Sequence, residues 1–236
     1  MNIKILGTRG EGQPNSPYHS KYSGILIDGK ILFDIGEKKY LQYKPKKIFI
    51  THLHPDHAYF VRKKTKNTIP SKTPVFAPEK HPKAKTINIV KPEKKIKIKD
   101  YNIIPIPTHH SKKVESTAYI IQKEEDKKIL YTGDMIWINK EYRHYFKNLD
   151  LVITEASFLR KKGRIRRDKK TGKIYGHTGV PDLINIFKEY TDKIVLTHFG
   201  LWFYKDIKKA RDRIKKIGEK NKIKIIVGYD GKKLKI

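Results

Sequence analysis

The stretch that decides the fold is Thr51-His52-Leu53-His54-Pro55-Asp56-His57. If this stretch starts extended, His52 and His54 point the same way, because residues two apart share one face of a strand. Pro55 then turns Asp56 and His57 towards a neighbouring position. One pair can hold one metal ion and the next pair a second, and two metals about 3.5–4 Å apart form a known catalytic device. The stretch predicts a two-metal site, and the alternative is a polar surface loop that contains three histidines by chance.

Several predicted strands end in a metal-ligand type or an acid. The residues that follow them are His52, His109 with His110, Asp134, Glu155 and His198. If these five strands share a sheet, their carboxyl ends can converge on one edge, where functional sites tend to assemble.

The remaining pattern predicts a strand over 3–6, a hairpin across Asp28-Gly29 and another across residues 123–127. Residues 62–99 are expected to form a loose edge of short strands. Helices are expected from Pro181 and over 205–217, the second ended by Gly218. A closing hairpin is predicted to join 224–227 to 234–236. No repeat or linker divides the chain, so we expect a single domain over residues 1–236.

The charge is strongly unbalanced, with 54 Lys and Arg against 24 Asp and Glu in 236 residues, a formal net charge of +30. Such a chain attracts polyanions, so nucleic acid or another phosphorylated ligand is the expected partner. The alternative is the lysine-rich style of heat-adapted proteins, but that style usually raises Glu as well.

The chain contains no cysteine, which excludes disulfides, thiolate metal sites and cysteine nucleophiles. Any metal must therefore be held by His, Asp or Glu. No apolar run approaches the roughly 20 residues that cross a bilayer, and the first residues predict a short strand. We expect a cytoplasmic location and no membrane partner. The oligomeric state stays open, a homodimer included.

The motif His52-x-His54-x-Asp56-His57 is followed in order by His110-Ser111, by Asp134 after Thr-Gly, and by His198 after a strand. Tyr229-Asp230-Gly231 near the end completes a pattern that resembles the metallo-β-lactamase superfamily over nearly the whole chain. The resemblance implies an α/β (α+β) fold, the αββα four-layer sandwich, and a hydrolase with two divalent metal ions. Zinc is the default, and manganese or iron fit the same ligands.

The resemblance also implies which residues hold each metal. One ion would be bound by His52, His54, His110 and Asp134, and the other by Asp56, His57, Asp134 and His198, with Asp134 bridging. Asp56 would in addition be catalytic, orienting a metal-bound hydroxide as it attacks. His109 competes with His110 as the ligand; the resemblance favours His110 because the family's histidine at this point commonly precedes Ser or Asp.

Two later segments, Glu155-Ala156-Ser157-Phe158 and Gly176-His177-Thr178-Gly179, are similar to those of nuclease Z and related phosphodiesterases. In that branch Glu155 would orient His177, and His177 would stabilise or protonate the leaving oxygen. The alternatives are a loop histidine without a role and a charged strand end. Only 23 residues separate His110 from Asp134, too few for the arm with which transfer-RNA-processing members grip tRNA, so tRNA maturation is not expected.

Residues 160–173 carry nine basic side chains and one acid, between the two candidate catalytic residues. The run is either a solvated face or a clamp for a phosphate backbone. The expected function is cleavage of phosphodiester bonds in a nucleic acid by a metal-bound hydroxide. The alternatives are hydrolysis of a thioester, lactone or small cyclic phosphodiester, and a metal-binding or redox protein that does not hydrolyse.

Overall fold

The computed structural model of the chain describes residues 1–62, 69, 73–84, 86–124 and 126–236. The strands are β1 (Asn2–Gly7), β2 (Gly24–Ile27), β3 (Ile31–Phe33), β4 (Lys47–Phe49), β5 (Val75–Ala77), β6 (Ile87–Ile89), β7 (Ile96–Ile98), β8 (Tyr101–Pro107), β9 (Thr117–Lys123), β10 (Lys127–Tyr131), β11 (Leu151–Ala156), β12 (Arg164–Arg167), β13 (Ile174–His177), β14 (Lys193–Phe199), β15 (Lys224–Val227) and β16 (Lys233–Lys235). The α-helices are α1 (Val180–Phe187), α2 (Leu201–Tyr204) and α3 (Ile207–Lys220). Part of the predicted edge over 62–99 lies outside the described residues.

The first sheet has the strand order β16-β1-β2-β3-β4-β5-β6. Strands β2 and β3 form the predicted hairpin, with Asp28 and Gly29 at φ 44° and 67°. Both central residues of this two-residue turn need positive φ, and Asp-Gly tolerates it at low cost. From β3 to β6 the pairing is parallel, so these strands have their carboxyl ends on the same side of the sheet.

The second sheet has the order β15-β14-β11-β10-β9-β8-β7, parallel from β10 to β15. The condition that all five of these strands share one sheet is not met, because β4 pairs with β3 and β5 in the first sheet. The other four lie in the second sheet. The two sheets meet at the site, where Thr117 N donates to Thr51 O at 2.9 Å. The candidate ligands therefore converge on an edge that both sheets share.

The apolar core lies in three layers. Between the sheets, Phe33, Phe49 and Tyr119 pack with ring centroids 5.3–5.5 Å apart. All three side chains are buried. Strand residues alternate between the two faces of a sheet. The outer face of each sheet therefore also carries apolar side chains, which helices or loops must bury.

The cover differs between the sheets. Over the second sheet, α1 and α3 bury Leu183, Phe187 and Ile214. Over the first sheet, Tyr40 and Phe60 pack from two short 3-10 helices, Lys38–Tyr43 and Tyr59–Val61. The predicted αββα sandwich is confirmed, with short 3-10 helices in the described part of the outer layer on the first sheet.

The predicted closing hairpin is wrong. Strand β15 pairs with β14 in the second sheet, whereas β16 pairs with β1 in the first. The connection turns at Asp230, whose carboxylate accepts from the backbone N–H groups of Ser20 (2.8 Å) and Lys21 (2.9 Å). Asp230 therefore ties the crossing between the sheets to the loop after β1.

The predicted end of the last helix is also wrong, because α3 continues through Gly218 to Lys220. A Cβ at residue 218 would lie 2.9 Å from the carbonyl oxygen of Ile223. The glycine lets the helix approach the following chain closely. At the other end Asp206 caps the helix by accepting from Lys209 N at 2.9 Å.

Two further strands were not predicted: β12 and β13 pair antiparallel as a separate two-stranded hairpin that contains most of the basic run. Asp168 closes its turn by accepting from the backbone N–H groups of Lys170 and Thr171 at 3.0 Å. Within the described residues, none of the helices combines the length and apolar character needed to span a membrane.

Candidate metal centre

The first candidate ligand set consists of His52, His54 and His110. His54 Nδ1 lies 3.0 Å from His52 Nε2 and 3.2 Å from His110 Nε2. In a tetrahedral site with metal–nitrogen bonds near 2.0–2.1 Å, ligand nitrogens lie about 3.3 Å apart. These two separations are close to that value, and the three ligand atoms lie within 4.8 Å of one another, so they can share a metal ion.

The second candidate set consists of Asp56, His57 and His198. Asp56 Oδ2 lies 2.9 Å from His198 Nε2 and 3.9 Å from His57 Nε2. Asp56 and His57 come from the turn after Pro55, and His198 from the carboxyl-end region of β14 at φ 49°. The sequence interpretation placed these residues in the same set.

Asp134 lies between the two sets. Its Oδ1 is 3.3 Å from His57 Nε2, and its Oδ2 is 3.3 Å from His198 Nε2. The same Oδ2 lies 3.8 Å from the Nε2 atoms of both His52 and His110. Among the described residues the buried Oδ1 has no hydrogen-bond partner, although the His57 ring lies 3.3 Å away, and such a state is costly for a carboxylate unless a cation is bound beside it. The donor set thus fits divalent metal ions, with Asp134 facing both positions.

The protonation states differ between the two ligand sets. Burial lowers the pKa of His52 well below its ordinary value and that of His110 to about 3, so both rings are neutral at pH 7. Burial raises the pKa of Asp134, but His198 and His57 outweigh it and hold the carboxylate charged. Burial lowers the pKa of His57 and His198, but Asp134 and the neighbouring carboxylates outweigh it and raise both values. Since metal ligands must be deprotonated, these two rings would release a proton when a metal binds.

Contacts on the far side of the rings fix their orientation. His57 Nδ1 donates to Asp34 Oδ2 at 2.7 Å, and His110 Nδ1 donates to the Gly176 carbonyl at 3.0 Å. Ser157 Oγ lies 3.0 Å from His198 Nδ1. Such partners fix the tautomer and leave the other nitrogen to face a metal.

Asp34 was missed by the sequence analysis. It is fully buried and also accepts from Tyr131 Oη at 2.6 Å and from Thr51 N at 2.7 Å. The signal was present, because Asp34 directly follows the buried strand β3 just as the candidate ligands follow theirs. Ser157, which contacts both His177 and His198, was quoted in a motif but given no role.

His177 and Glu155 form a pair beside the ligand sets. His177 Nδ1 donates to both Glu155 oxygens, at 2.9 and 2.8 Å, and lies 4.0 Å from Asp134 Oδ2. Burial lowers the pKa of His177, but Glu155 outweighs it and raises that pKa to about 9. Since Nδ1 is engaged by Glu155, Nε2 is the nitrogen left for a substrate. His177 is therefore protonated at neutral pH and can donate a proton through Nε2.

His109 points away from the ligand sets. Its Nε2 lies 2.8 Å from Asn139 Oδ1, and its ring packs 4.8 Å from that of Trp137. His110 is the residue that the structure brings to His52 and His54.

A cavity of about 440 Å³ opens over both sets. The loop after β1, the hairpin β12–β13 and the start of helix α2 contribute to its walls, which contain polar, charged and apolar side chains. The lining residues are Gly10, Glu11, Gln13, His54, Asp56, Asp134, Ser157, Phe158, Arg164, His177, His198, Phe199, Gly200 and Leu201. All the candidate catalytic residues except the buried Glu155 thus line one cavity.

Known structures share this architecture. The metallo-beta-lactamase fold protein YhfI from Bacillus subtilis superposes with a TM-score of 0.70 at 18% identity, covering 99% of this chain and 98% of that one. Human tRNase Z, short form, has a TM-score of 0.64 at 18% identity, with coverages of 100% and 99%. A diphosphatase from the PhnP family has a TM-score of 0.63 at 17% identity, with coverages of 99% and 96%. At these identities the likeness concerns the fold alone.

Sequence comparison identifies the family. A search of curated protein sequences finds no match. The profile described as beta-lactamase superfamily domain matches residues 37–199, more than half of the chain. The chain therefore belongs to the beta-lactamase superfamily, and its clustered His and Asp side chains can hold divalent metal ions.

Proposed function

We propose that the protein is a two-metal hydrolase that cleaves phosphodiester bonds, with the nucleic-acid backbone as its substrate class. The observation that carries this proposal is the His177–Glu155 pair at the rim of the ligand cluster. A cationic imidazole beside two metal positions is suited to a substrate whose leaving oxygen must be protonated and whose phosphoryl oxygens are negative.

Each position has a distinct task in this reaction. Divalent metal ions bound by the two sets would activate water and neutralise charge on the phosphoryl oxygens. Asp56 Oδ2 accepts from the backbone N–H of Glu11 at 3.0 Å, which fixes this carboxylate as an acceptor for the attacking water. His177 Nε2 gives a proton to the leaving oxygen, and Glu155 keeps the ring protonated and oriented.

Other features support the choice of substrate. Two of the proteins with a similar fold are a tRNase Z and a diphosphatase, and both names indicate phosphorus chemistry. The net charge of +30 attracts polyanions, and Arg164 adds a cation to the cavity wall. A thioester expels a thiolate that needs little protonation, and neither a thioester nor a lactone group carries the negative charge that a cationic cavity favours.

The experiment compares two phosphodiesters that differ in leaving group. Bis(p-nitrophenyl) phosphate expels a phenolate that needs little protonation, whereas a dinucleotide expels a strongly basic alkoxide. His177→Ala should slow cleavage of the dinucleotide by about 10²–10⁴-fold, the usual contribution of a general acid, and slow the aryl ester much less.

The control variant is His109→Ala, which removes a neighbouring histidine that does not face the ligand sets. It should leave both rates close to wild type. If His177→Ala lowers the cleavage rate of both substrates by the same factor, His177 is not the proton donor. If the metal-loaded wild type cleaves neither, the proposed function is wrong.

A further inference from the structure

We propose that the hairpin β12–β13 is a binding arm for a single-stranded polynucleotide, and that it guides the sugar-phosphate backbone into the metal centre. What happens at the centre rests on the proposed function, whereas binding along the arm does not. The ligand chemistry is the phosphodiester backbone that RNA and DNA share.

The pairing register places one row of the arm in line with the site. Arg164 is directly opposite His177, and Arg166 is opposite Tyr175. Directly opposed residues lie on the same face of an antiparallel pair, and residues two apart share that face. Arg164 and His177 both line the cavity, so this face is the one that leads to the metal centre. Arg166 and Tyr175 continue it outward.

The spacing of this row suits a nucleic-acid backbone. Two residues along a strand span about 6.8 Å, which is comparable with the separation of neighbouring phosphates in an extended single strand. Arg164 and Arg166 can therefore contact consecutive phosphates. Lys112 Nζ lies 5.2 Å from the centre of the Tyr175 ring, so a base can stack on the ring face that Lys112 leaves open. Arg167 lies on the opposite face, where its Nη1 donates to the Gly172 carbonyl at 3.1 Å.

The arm is held in place by contacts that spare these arginines. Gly176 N donates to the carbonyl oxygen of His110 at 2.7 Å, which ties the arm to a candidate ligand. Two ion pairs hold its outer end, Lys112–Asp168 at 3.1 Å and Lys173–Glu115 at 3.3 Å. In the part of the chain that the structure describes, neither Arg164 nor Arg166 has an acidic partner within 4.0 Å, and both are exposed.

The cavity at the inner end of the arm favours a single strand over a duplex. Its volume of about 440 Å³ is that of a small-molecule pocket, enough for an end nucleotide and too small for paired strands. Phe158 and Leu201 add apolar side chains to the cavity lining, and the Arg160 guanidinium lies 5.8 Å from the Phe158 ring. A base separated from its partner can be placed against these apolar side chains.

The experiment uses the adjacent residues Arg166 and Arg167 as a matched pair. Each substitution to Gln removes one exposed positive charge from the same strand, but only Arg166 lies on the face that leads to the site. Fluorescence anisotropy measures the binding of fluorescein-labelled 12-nucleotide single strands over a range of NaCl concentrations. RNA and DNA strands are tested in separate titrations. The full-length protein without added metal is used, so binding is read without cleavage.

Arg166→Gln should weaken binding several-fold and reduce the slope of log Kd against log salt by about 0.7, the value for one phosphate contact on a single strand. Arg167→Gln should change the slope by much less. Whichever of RNA and DNA binds more tightly identifies the natural backbone. Thermal unfolding of both variants checks that the fold is unchanged.

If Arg166→Gln and Arg167→Gln change the Kd and the salt slope equally, the proposal that the hairpin is a binding arm is wrong. Equal changes would show only a general attraction between the basic protein and the polyanion. A duplex that binds as tightly as the single strand would also overturn it. These outcomes are distinct from a failure of the proposed function, in which the strands bind along the arm but the metal-loaded protein cleaves no phosphodiester.

Discussion

At the scale of single residues, the candidate site depends on what each imidazole does with its second nitrogen. His57, His110 and His198 each face the cluster through Nε2 and hold a polar partner through Nδ1. A ring fixed in this way cannot turn, so its tautomer and direction are set before a metal binds. The strongest of these partners is the buried carboxylate of Asp34.

We predict that Asp34→Asn lowers metal affinity by about 10–100-fold, because the neutral amide no longer holds the proton on His57 Nδ1 as firmly. Competition with a chromophoric chelator measures the affinity. Asp28→Asn is the control: Asp28 also accepts from a tyrosine and a backbone N–H, but it lies in the β2–β3 turn away from the metal ligands. It should cost stability and leave affinity unchanged. Equal affinity of the Asp34 variant and the wild type would contradict this role.

A second residue-scale prediction concerns pH. His177 has its pKa raised from 6.5 to about 9, so its proton is present at neutral pH and is lost as the pH rises through that value. The rate of dinucleotide cleavage should therefore fall on the alkaline side. Glu155→Gln removes the charge that raises the pKa, so this fall should move to lower pH. A pH–rate profile for both proteins checks the shift, and an alkaline limb that does not move argues against the pair.

The sequence was sufficient to predict which His and Asp side chains cluster, but not the residues that position them. His52 to His57 stand in one short motif, and Asp134 and His198 end predicted strands, so their chemistry is visible locally. Asp34 acts only because β3 brings it beneath His57, a contact between residues 23 apart. The local pattern shows only that Asp34 follows a buried strand, whereas its contact with His57 depends on tertiary packing.

At the scale of elements, the hairpin β12–β13 carries His177 to the cavity, and its geometry depends on a close approach of its two strands. Gly176 has φ 124°, and a Cβ there would lie 2.0 Å from the carbonyl oxygen of Arg164. Only glycine allows the pairing that places Arg164 opposite His177.

We predict that Gly176→Ala displaces His177, lowering dinucleotide cleavage strongly and stability by about 1–3 kcal/mol beyond the control. The control is Gly172→Ala in the same hairpin, also at positive φ (70°) but with nothing within 4 Å of the added Cβ. It should show only the backbone strain, about 1–2 kcal/mol. Urea unfolding and steady-state kinetics measure both effects, and similar losses in the two variants would contradict the close approach.

The closing hairpin between β15 and β16 was predicted wrongly because a turn signal is compatible both with a hairpin and with a crossing between two sheets. Asp230-Gly231 is a strong turn signal, and it predicts a hairpin between the flanking strands. The turn is present, but β15 and β16 join different sheets, and this choice depends on the free edges of β14 and β1. The sequence shows where the chain turns and not which strand edge is open.

At the scale of the whole molecule, the net charge of +30 repels itself in the folded state. We predict that raising NaCl at neutral pH increases the melting temperature, by roughly 2–4 °C for each kcal/mol of repulsion that is screened. Differential scanning fluorimetry checks this against sucrose at matched osmolality, which lacks ions. A melting temperature that salt leaves unchanged or lowers would show that the charges are balanced locally.

The central claim is that the two ligand sets each hold a divalent ion and that Asp134 serves both. The most direct test is the metal content of the purified protein, measured by inductively coupled plasma mass spectrometry after saturation with Zn²⁺ or Mn²⁺ and dialysis against metal-free buffer. The account predicts close to two ions per chain in the wild type and in His177→Ala, and fewer than one in Asp134→Ala. One ion or none in the wild type, or two in Asp134→Ala, would contradict it.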